Sequence, residues 1–362
     1  MEKCKKVVLP ISTNTELKIE CWTFYKMSII QTLPEYMNWL SSHMNIFYGE
    51  IGEKIYFGIG PHPHDVTYFS DILDIDEIDL YAVKPSNLIK KIKSEIDMDY
   101  YYVVFLRNEE GESHEIFIYG YDDNITSFYT FDLIENGNFV PALIRYDKVE
   151  EHYCNDYQYY LHNPEQYYCK IKFGYVMYRI KTRNKYKHKN YAAEYFEKLY
   201  HEVYGTRTDL CYSDDYDQFL PPCSFYTGVT CLIRLNDRIT ELKGFPESEN
   251  KIVELNIIRK NLFKLREHRN LIYRSMRWYE KCWGIQDEHI LDLHNNYQKC
   301  CVDMDRICIM YLKYLFTRNG MLLEKIQRNI MEQYCNERRI LCEYVNVIRE
   351  FYNSQVLSKK FE

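Results

Sequence analysis

The chain has 362 residues, 46 lysines and arginines against 53 aspartates and glutamates, a formal charge of −7, and 46% apolar residues. That length suits about two domains, the apolar content excludes general disorder, and the negative balance disfavours nucleic acid as a partner. The 37 tyrosines and 18 phenylalanines suit cores and pockets lined by rings that carry a polar tip. No run approaches the ~18 consecutive apolar residues of a membrane span, and the basic start at Met1 is not followed by a signal-peptide apolar run. No membrane partner and a cytoplasmic location are therefore expected.

In chain order, residues 22–32 are predicted to form a helix, 36–48 a second and 86–96 a third. Three β-like runs follow, Tyr101 to Leu106, Glu115 to Gly120 and Ser127 to Asp132, separated by polar turns at 108–112 and 122–124. Helices followed by an antiparallel sheet make an α+β order. Residues 151–246 are tyrosine-rich, with strand expected about Tyr168 to Ile180 and a helix from Tyr191 to Tyr204. All ten prolines lie at or before Pro246. Beyond it, Ile252, Leu255, Ile258, Leu262 and Leu265 recur at three- and four-residue spacing, which predicts long amphipathic helices from Lys251 to about Tyr352. Breaks are expected near Gly284 and Asn319-Gly320. The expected division is a core over 1–150, a continuation or bridge over 151–246, and a helical bundle or cap over 247–362.

The 13 cysteines are odd in number and contain no CxxC pair, so neither a disulfide framework nor a zinc ribbon is encoded, and most should be small core residues. Cys21 differs by its place, opening the helix that begins Cys21-Trp22-Thr23. A thiol there faces unpaired N–H groups and the positive end of the helix dipole, which favours thiolate. His114 begins the strand that runs to Asp123, and Asp132 ends the next one. If residues 122–124 turn the chain, Asp132 comes near His114, as the orienting carboxylate of a nucleophile–base–orienter triad. Taken singly, a helix-opening cysteine is a common structural residue, and His114 is equally a turn histidine held by a backbone bond.

Through Glu20-Cys21-Trp22, Lys54 to Gly60, His114 to Asp123 and Phe128 to Asp132, residues 15–150 resemble the papain-like cysteine peptidase superfamily. They are most similar to its acyl-transferring offshoots in bacterial natural-product pathways, the butirosin-type acyltransferases and the amide-forming enzymes of polythioamide (closthioamide) assembly. The resemblance implies a papain-like cysteine protease fold with a mostly helical C-terminal domain. It implies an acyltransferase that takes an acyl group from a carrier-protein thioester onto Cys21 and passes it to a small amine or diamine. His114 would act as base and acid, and Asp132 would orient it. The partners would be an acyl carrier protein and the amine, with a homodimer open. No cofactor is expected, because acyl exchange from a thioester needs neither metal nor nucleotide. A cysteine peptidase or thioester hydrolase would use the same triad, and a non-catalytic scaffold protein is the alternative from another class. The family's glutamine before the nucleophile is absent: Thr13, Asn14, Thr15, Glu16 and Leu17 stand there, with Asn14 a possible oxyanion donor.

Other features read more plainly. Pro61-His62-Pro63-His64-Asp65 lacks two further ligands at zinc spacing and reads as a loop. Gly58-Ile59-Gly60 lacks the rest of a phosphate loop. Two basic runs, Arg179 to Lys189 at alternate positions and Arg259 to Arg277 along one helix, are solvated faces or a docking surface for an acidic carrier. Tyr157, Tyr159, Tyr160, Tyr167 and Tyr168 suit packing between the two halves, or a dry tunnel beside Cys21.

Overall fold

A computed structural model describes residues 5–49, 54–57, 69–133, 139–164, 176–183, 185–205, 207–210, 223–243 and 249–357. In chain order its main elements are β1 (Lys6–Val8), α1 (Cys21–Ile30), α2 (Tyr36–His43), β2 (Ile46–Gly49), β3 (Lys54–Phe57), β4 (Leu73–Asp79), α3 (Pro85–Ile96), β5 (Tyr101–Arg107), β6 (Ser113–Asp122), β7 (Ser127–Leu133), β8 (Phe139–Arg145), α4 (Tyr146–His162), β9 (Val176–Thr182), α5 (Ala192–Tyr204), β10 (Arg207–Leu210), β11 (Cys223–Thr227), α6 (Thr230–Leu242), α7 (Glu249–Trp283), α8 (Glu288–Thr317) and α9 (Gly320–Phe351). The chain is α+β, its strand ladders are antiparallel, and its C-terminal third is helical. Among the described residues no helix is long and apolar enough to cross a membrane.

Two compact units divide the chain, and the division is not sequential. One takes the described residues of 5–36 and 69–189, the other those of 37–57 and 190–357. The described residues of 151–189 thus lie with the sheet of the first unit, and those of 37–57, expected within the core of 1–150, lie in the second. The helix expected over 36–48 stops at His43, and Ile46–Gly49 is strand β2. It pairs with β3 and β11.

The first unit is a seven-stranded sheet in the order β4-β9-β5-β6-β7-β8, with β1 pairing β6 as well. Alternation along the strands sends Phe117 and Phe131 to one face, where they meet α1: Phe24 packs edge-on to Phe131 at 4.8 Å, and Tyr25 stacks on Phe117 at 5.0 Å. Trp22 joins them against Tyr178 of β9 at 4.7 Å. Helix α1 has no solvent face: every residue from Trp22 to Ile30 is buried, Thr23, Lys26 and Ser28 among them. Helices α3 and α4 serve the opposite face. There Tyr121 donates to Asp97 at the end of α3, and His152 of α4 shares a cavity with Leu106, Ile116 and Ile144.

Strand β6 carries a bulge beyond the residues that face Cys21. Its register with β7 shifts between Ile118↔Thr130 and Gly120↔Tyr129, so one extra residue re-aims the strand. Gly120 is required there, since a Cβ would stand 2.6 Å from the Val7 carbonyl oxygen of β1.

In the second unit the long helices break at Gly284, with φ +62, and between Arg318, with φ 51, and Gly320, where breaks were expected. Their core holds charge. Arg269 of α7 and Glu337 of α9, both fully buried, pair at 3.0 Å, and Tyr297 of α8 donates to the same carboxylate at 2.9 Å. Lys198 of α5 is 3% exposed, and its Nζ has no hydrogen-bond partner among the described residues. Burial pushes the Lys198 ammonium down to about 8, against the opposing pull of Glu202. The unfolded chain therefore holds this proton more tightly than the folded one, and stability rises as pH climbs from about 8 towards the ordinary lysine value. Lys198→Met should stabilise the fold by about 3 kcal/mol at pH 7. In urea titrations that gain should fall by half or more at pH 9.5; a gain independent of pH would show that the ammonium is not the source.

Candidate active site

Cys21 is the first residue of α1. Glu20 before it is extended, with φ −111 and ψ 125, and gives no side-chain cap, so the first N–H groups of the helix face the Cys21 side chain. Across from it stands β6. Glu115 lies on the α1 face of that strand, 6% exposed. The Cys21 thiol donates to its carboxylate at 2.5 Å. Tyr25, one turn along α1, donates its hydroxyl to the Glu115 carbonyl at 3.2 Å, fixing the strand against the helix.

His114 sits next door, and its side chain is 59% exposed. Its Nδ1 is 2.9 Å from the Glu115 carbonyl oxygen and 3.5 Å from the Glu115 carboxylate. A carbonyl only accepts, so the hydrogen of that contact is on Nδ1. The Cys21 sulfur, a ring nitrogen of His114 and a carboxylate oxygen of Glu115 all lie within 4.8 Å of one another. On its other side His114 borders the α4-side cavity, about 570 Å³, with Leu106, Ile116, Ile144 and His152.

The expected approach of Asp132 to His114 does not occur: no hydrogen bond or ion pair joins them, and Asp132 is exposed. The β6–β7 ladder ends at Ile118↔Thr130 beyond the bulge, and Asp132 pairs instead with Val140 of β8. Its influence is through the field alone, since with Cys21 and Glu115 it adds to the burial that raises Tyr25. The carboxylate beside the imidazole is Glu115. Sequence reading missed it because an acidic residue next to the histidine in a strand should point to the opposite face. The two meet because the His114 ring, at the strand's start, turns back onto its neighbour, its Nδ1 2.9 Å from the Glu115 carbonyl oxygen.

The thiol is also not the activated thiolate expected of a helix N-terminus. Burial, then the charge and hydrogen bond of Glu115, push Cys21 well above the ordinary cysteine value, outweighing the Trp22 N–H that favours thiolate. Reaction at this sulfur needs its proton removed, and the groups in reach are Glu115 and His114. Asn14 is exposed and makes no contact at the site; the Trp22 N–H at the helix start is the donor that faces the sulfur.

The remaining sequence candidates fall elsewhere. Residues 58–68, with both histidines of the proline-flanked pair, are outside the described residues, as are Tyr167 and Tyr168. Tyr157, Tyr159 and Tyr160 are on α4, on the sheet face opposite Cys21: Tyr157 packs on Tyr81 at 5.3 Å, and the Arg107 guanidinium lies 3.7 Å over Tyr159. The basic run on β9 is largely neutralised. Arg179 pairs with Asp76 and Glu95, Arg183 with Asp74, Lys189 with Asp71, and Lys181 donates to the Met98 carbonyl. In the second run Arg269 is buried, Lys264 donates to the Ile55 carbonyl at 2.5 Å, and Arg266 pairs with Asp305. In both runs several of the cations are thus paired or buried, while Lys185 and Lys187 of the first stay exposed.

No protein-family model matches this chain, and no curated protein matches it in sequence.

Proposed function

We propose that the protein is a cysteine-dependent, amide-forming acyltransferase built on a papain-like core, drawing its acyl group from a carrier-protein thioester. The observation that carries this reading is the convergence of the Cys21 sulfur, the His114 imidazole and the Glu115 carboxylate at the start of a buried helix. A buried thiol alone is inert; one that shares its hydrogen with a carboxylate beside an exposed imidazole has a route for that proton. In the proposed cycle Cys21 Sγ bonds to the thioester carbonyl carbon, and the carrier's C–S bond breaks. The thiol proton passes through His114 to the departing carrier thiolate. The amine nitrogen then attacks the Cys21 acyl-enzyme, loses its proton to His114, and the amide leaves as the thiol is restored. Glu115, rather than Asp132, orients the imidazole in this scheme. The cavity on the α4 side that His114 borders, lined by Leu106, Ile116 and Ile144 together with Asn108, Ser113 and His152, offers the amine an approach to the imidazole.

Intact-mass spectrometry after incubation with an acyl-carrier thioester tests it. The wild type should gain the mass of one acyl group, and Cys21→Ala none. Adding a diamine should clear the adduct as amide; clearance only to free acid would make the protein a hydrolase. An adduct that persists in Cys21→Ala, or none in either protein, would end the enzymatic reading and favour a scaffold.

A further inference from the structure

We infer that Cys21, His114 and Glu115 form a binding site for a thiophilic divalent cation of the zinc class, with three protein ligands and a fourth position for water. The three donor atoms are a sulfur, an imidazole nitrogen and a carboxylate oxygen, all within 4.8 Å of one another. They stand on regular structure, the first turn of α1 and the start of β6, tied together by the Tyr25 hydroxyl on the Glu115 carbonyl. Ligands of one tetrahedral zinc, bonded at about 2.0–2.3 Å, lie roughly 3.5 Å apart. The carboxylate oxygen 3.5 Å from His114 Nδ1 already has that spacing, and a cation bound there requires the ring hydrogen to move from Nδ1 to Nε2. The sulfur and carboxylate, at 2.5 Å, need to part by about 1 Å, as they would when a cation replaces the hydrogen between them.

Donor chemistry selects the ion. One thiolate and one imidazole disfavour magnesium and calcium, which take oxygen sets, and suit zinc or cobalt(II). A dication facing one thiolate and one carboxylate leaves the site electrically neutral, a condition under which both anions can lie together in a half-buried place. Binding forms the metal–sulfur bond and breaks the S–H bond, the proton leaving to buffer. No oxidation state changes. Three protein ligands are the number of an open rather than a closed zinc site, and the exposure of His114 leaves a side from which water or a small ligand can reach the ion.

The inference does not depend on acyl transfer. The same sulfur would be capped by the cation, so a metal-loaded chain should resist both acylation and alkylation at Cys21.

Cobalt(II) is the probe for the test, titrated into the full chain after chelator treatment and dialysis. The wild type should show a thiolate-to-cobalt charge-transfer band, displaced by zinc and unaffected by excess magnesium. Cys21→Ser should lose the band, while His114→Ala and Glu115→Gln should weaken cobalt binding at least tenfold. Among the described residues the exposed thiols Cys282 and Cys335 are the competing sources of such a band, so Cys282→Ser/Cys335→Ser should keep it. Circular dichroism on each variant, with Glu115→Gln as the least disruptive, separates a lost site from a lost fold. Absence of the band in the wild type, or its survival in folded Cys21→Ser, overturns the inference. Acylation of the chelator-treated protein is scored separately, so failure of the metal site and failure of the transferase reading give different results.

Discussion

Glu115→Gln should make Cys21 more reactive, with alkylation by iodoacetamide at pH 7 to 8 rising at least tenfold in chelator-treated protein. The carboxylate accepts the thiol hydrogen, and its charge, together with burial, holds the thiol far above the usual cysteine range. Glutamine keeps the volume and one acceptor oxygen but removes the charge that opposes thiolate. Each unit by which the thiol's pKa falls multiplies the thiolate fraction about tenfold at a pH below it, and a like charge at hydrogen-bond distance commonly accounts for one unit or more. Peptide mapping of the labelled protein would assign the rate to Cys21, and its pH–rate profile should move to lower pH. A rate that falls tenfold instead would mean that Glu115 is the base taking the thiol proton, which would pass the role given above to His114 to its neighbour.

Arg269→Met should cost the second unit about 3–5 kcal/mol, the usual loss when one member of a buried ion pair is removed. The guanidinium and the Glu337 carboxylate are both fully buried, and the carboxylate also takes the Tyr297 hydroxyl hydrogen. Without Arg269, Glu337 would be a buried anion held by one phenol. Arg269→Met/Glu337→Leu should recover most of the loss, because two well-packed apolar side chains replace two desolvated charges. Urea unfolding of the single and double variants is the measurement. A double variant no more stable than Arg269→Met would show that packing around the side chains, and not their charge, is what the single substitution disturbs.

The long helices and the central hairpins were legible because their signals are local. Apolar spacing of three and four residues from Ile252 to Leu265, and turn residues at 108–112 and 122–124, report directly on helix and hairpin. Strand β4 was not read: Leu73, Asp74, Ile75 and Asp76 alternate, but Asp76 and Glu77 are adjacent and shift Ile78 out of the period. Its acidic positions look solvated until the partner is known. That partner is the basic alternation of β9, in register at Asp74↔Lys181 and Asp76↔Arg179, so the charges that suggested a docking face are cross-strand partners of the acids. At the site, Cys21 and His114 could be picked from helix-start and strand-start positions. Glu115 could not, because its part depends on α1 packing against that face of β6, through contacts between residues 94 and 90 positions apart that have no local signature at residue 115. Asp132 failed because β7 has left the ladder with β6 after Thr130, and at that point it faces only Val140 of β8.

The looping path of the chain bears on any attempt to dissect it. Strands β2 and β3, at residues 46–57, belong with a unit whose remaining described residues begin at 190. They supply two of the four strands of its smaller sheet, and the Ile55 backbone that Asn261 and Lys264 of α7 hold by its N–H and carbonyl. A fragment starting at 190 would leave the buried Lys264 ammonium and Asn261 amide facing an empty place, and one ending at 189 would carry a stretch cut off from its sheet. Single-cut truncation is therefore a poor way to isolate either half; joining residue 36 to the neighbourhood of 69 by a short linker respects the boundary that the polypeptide itself draws.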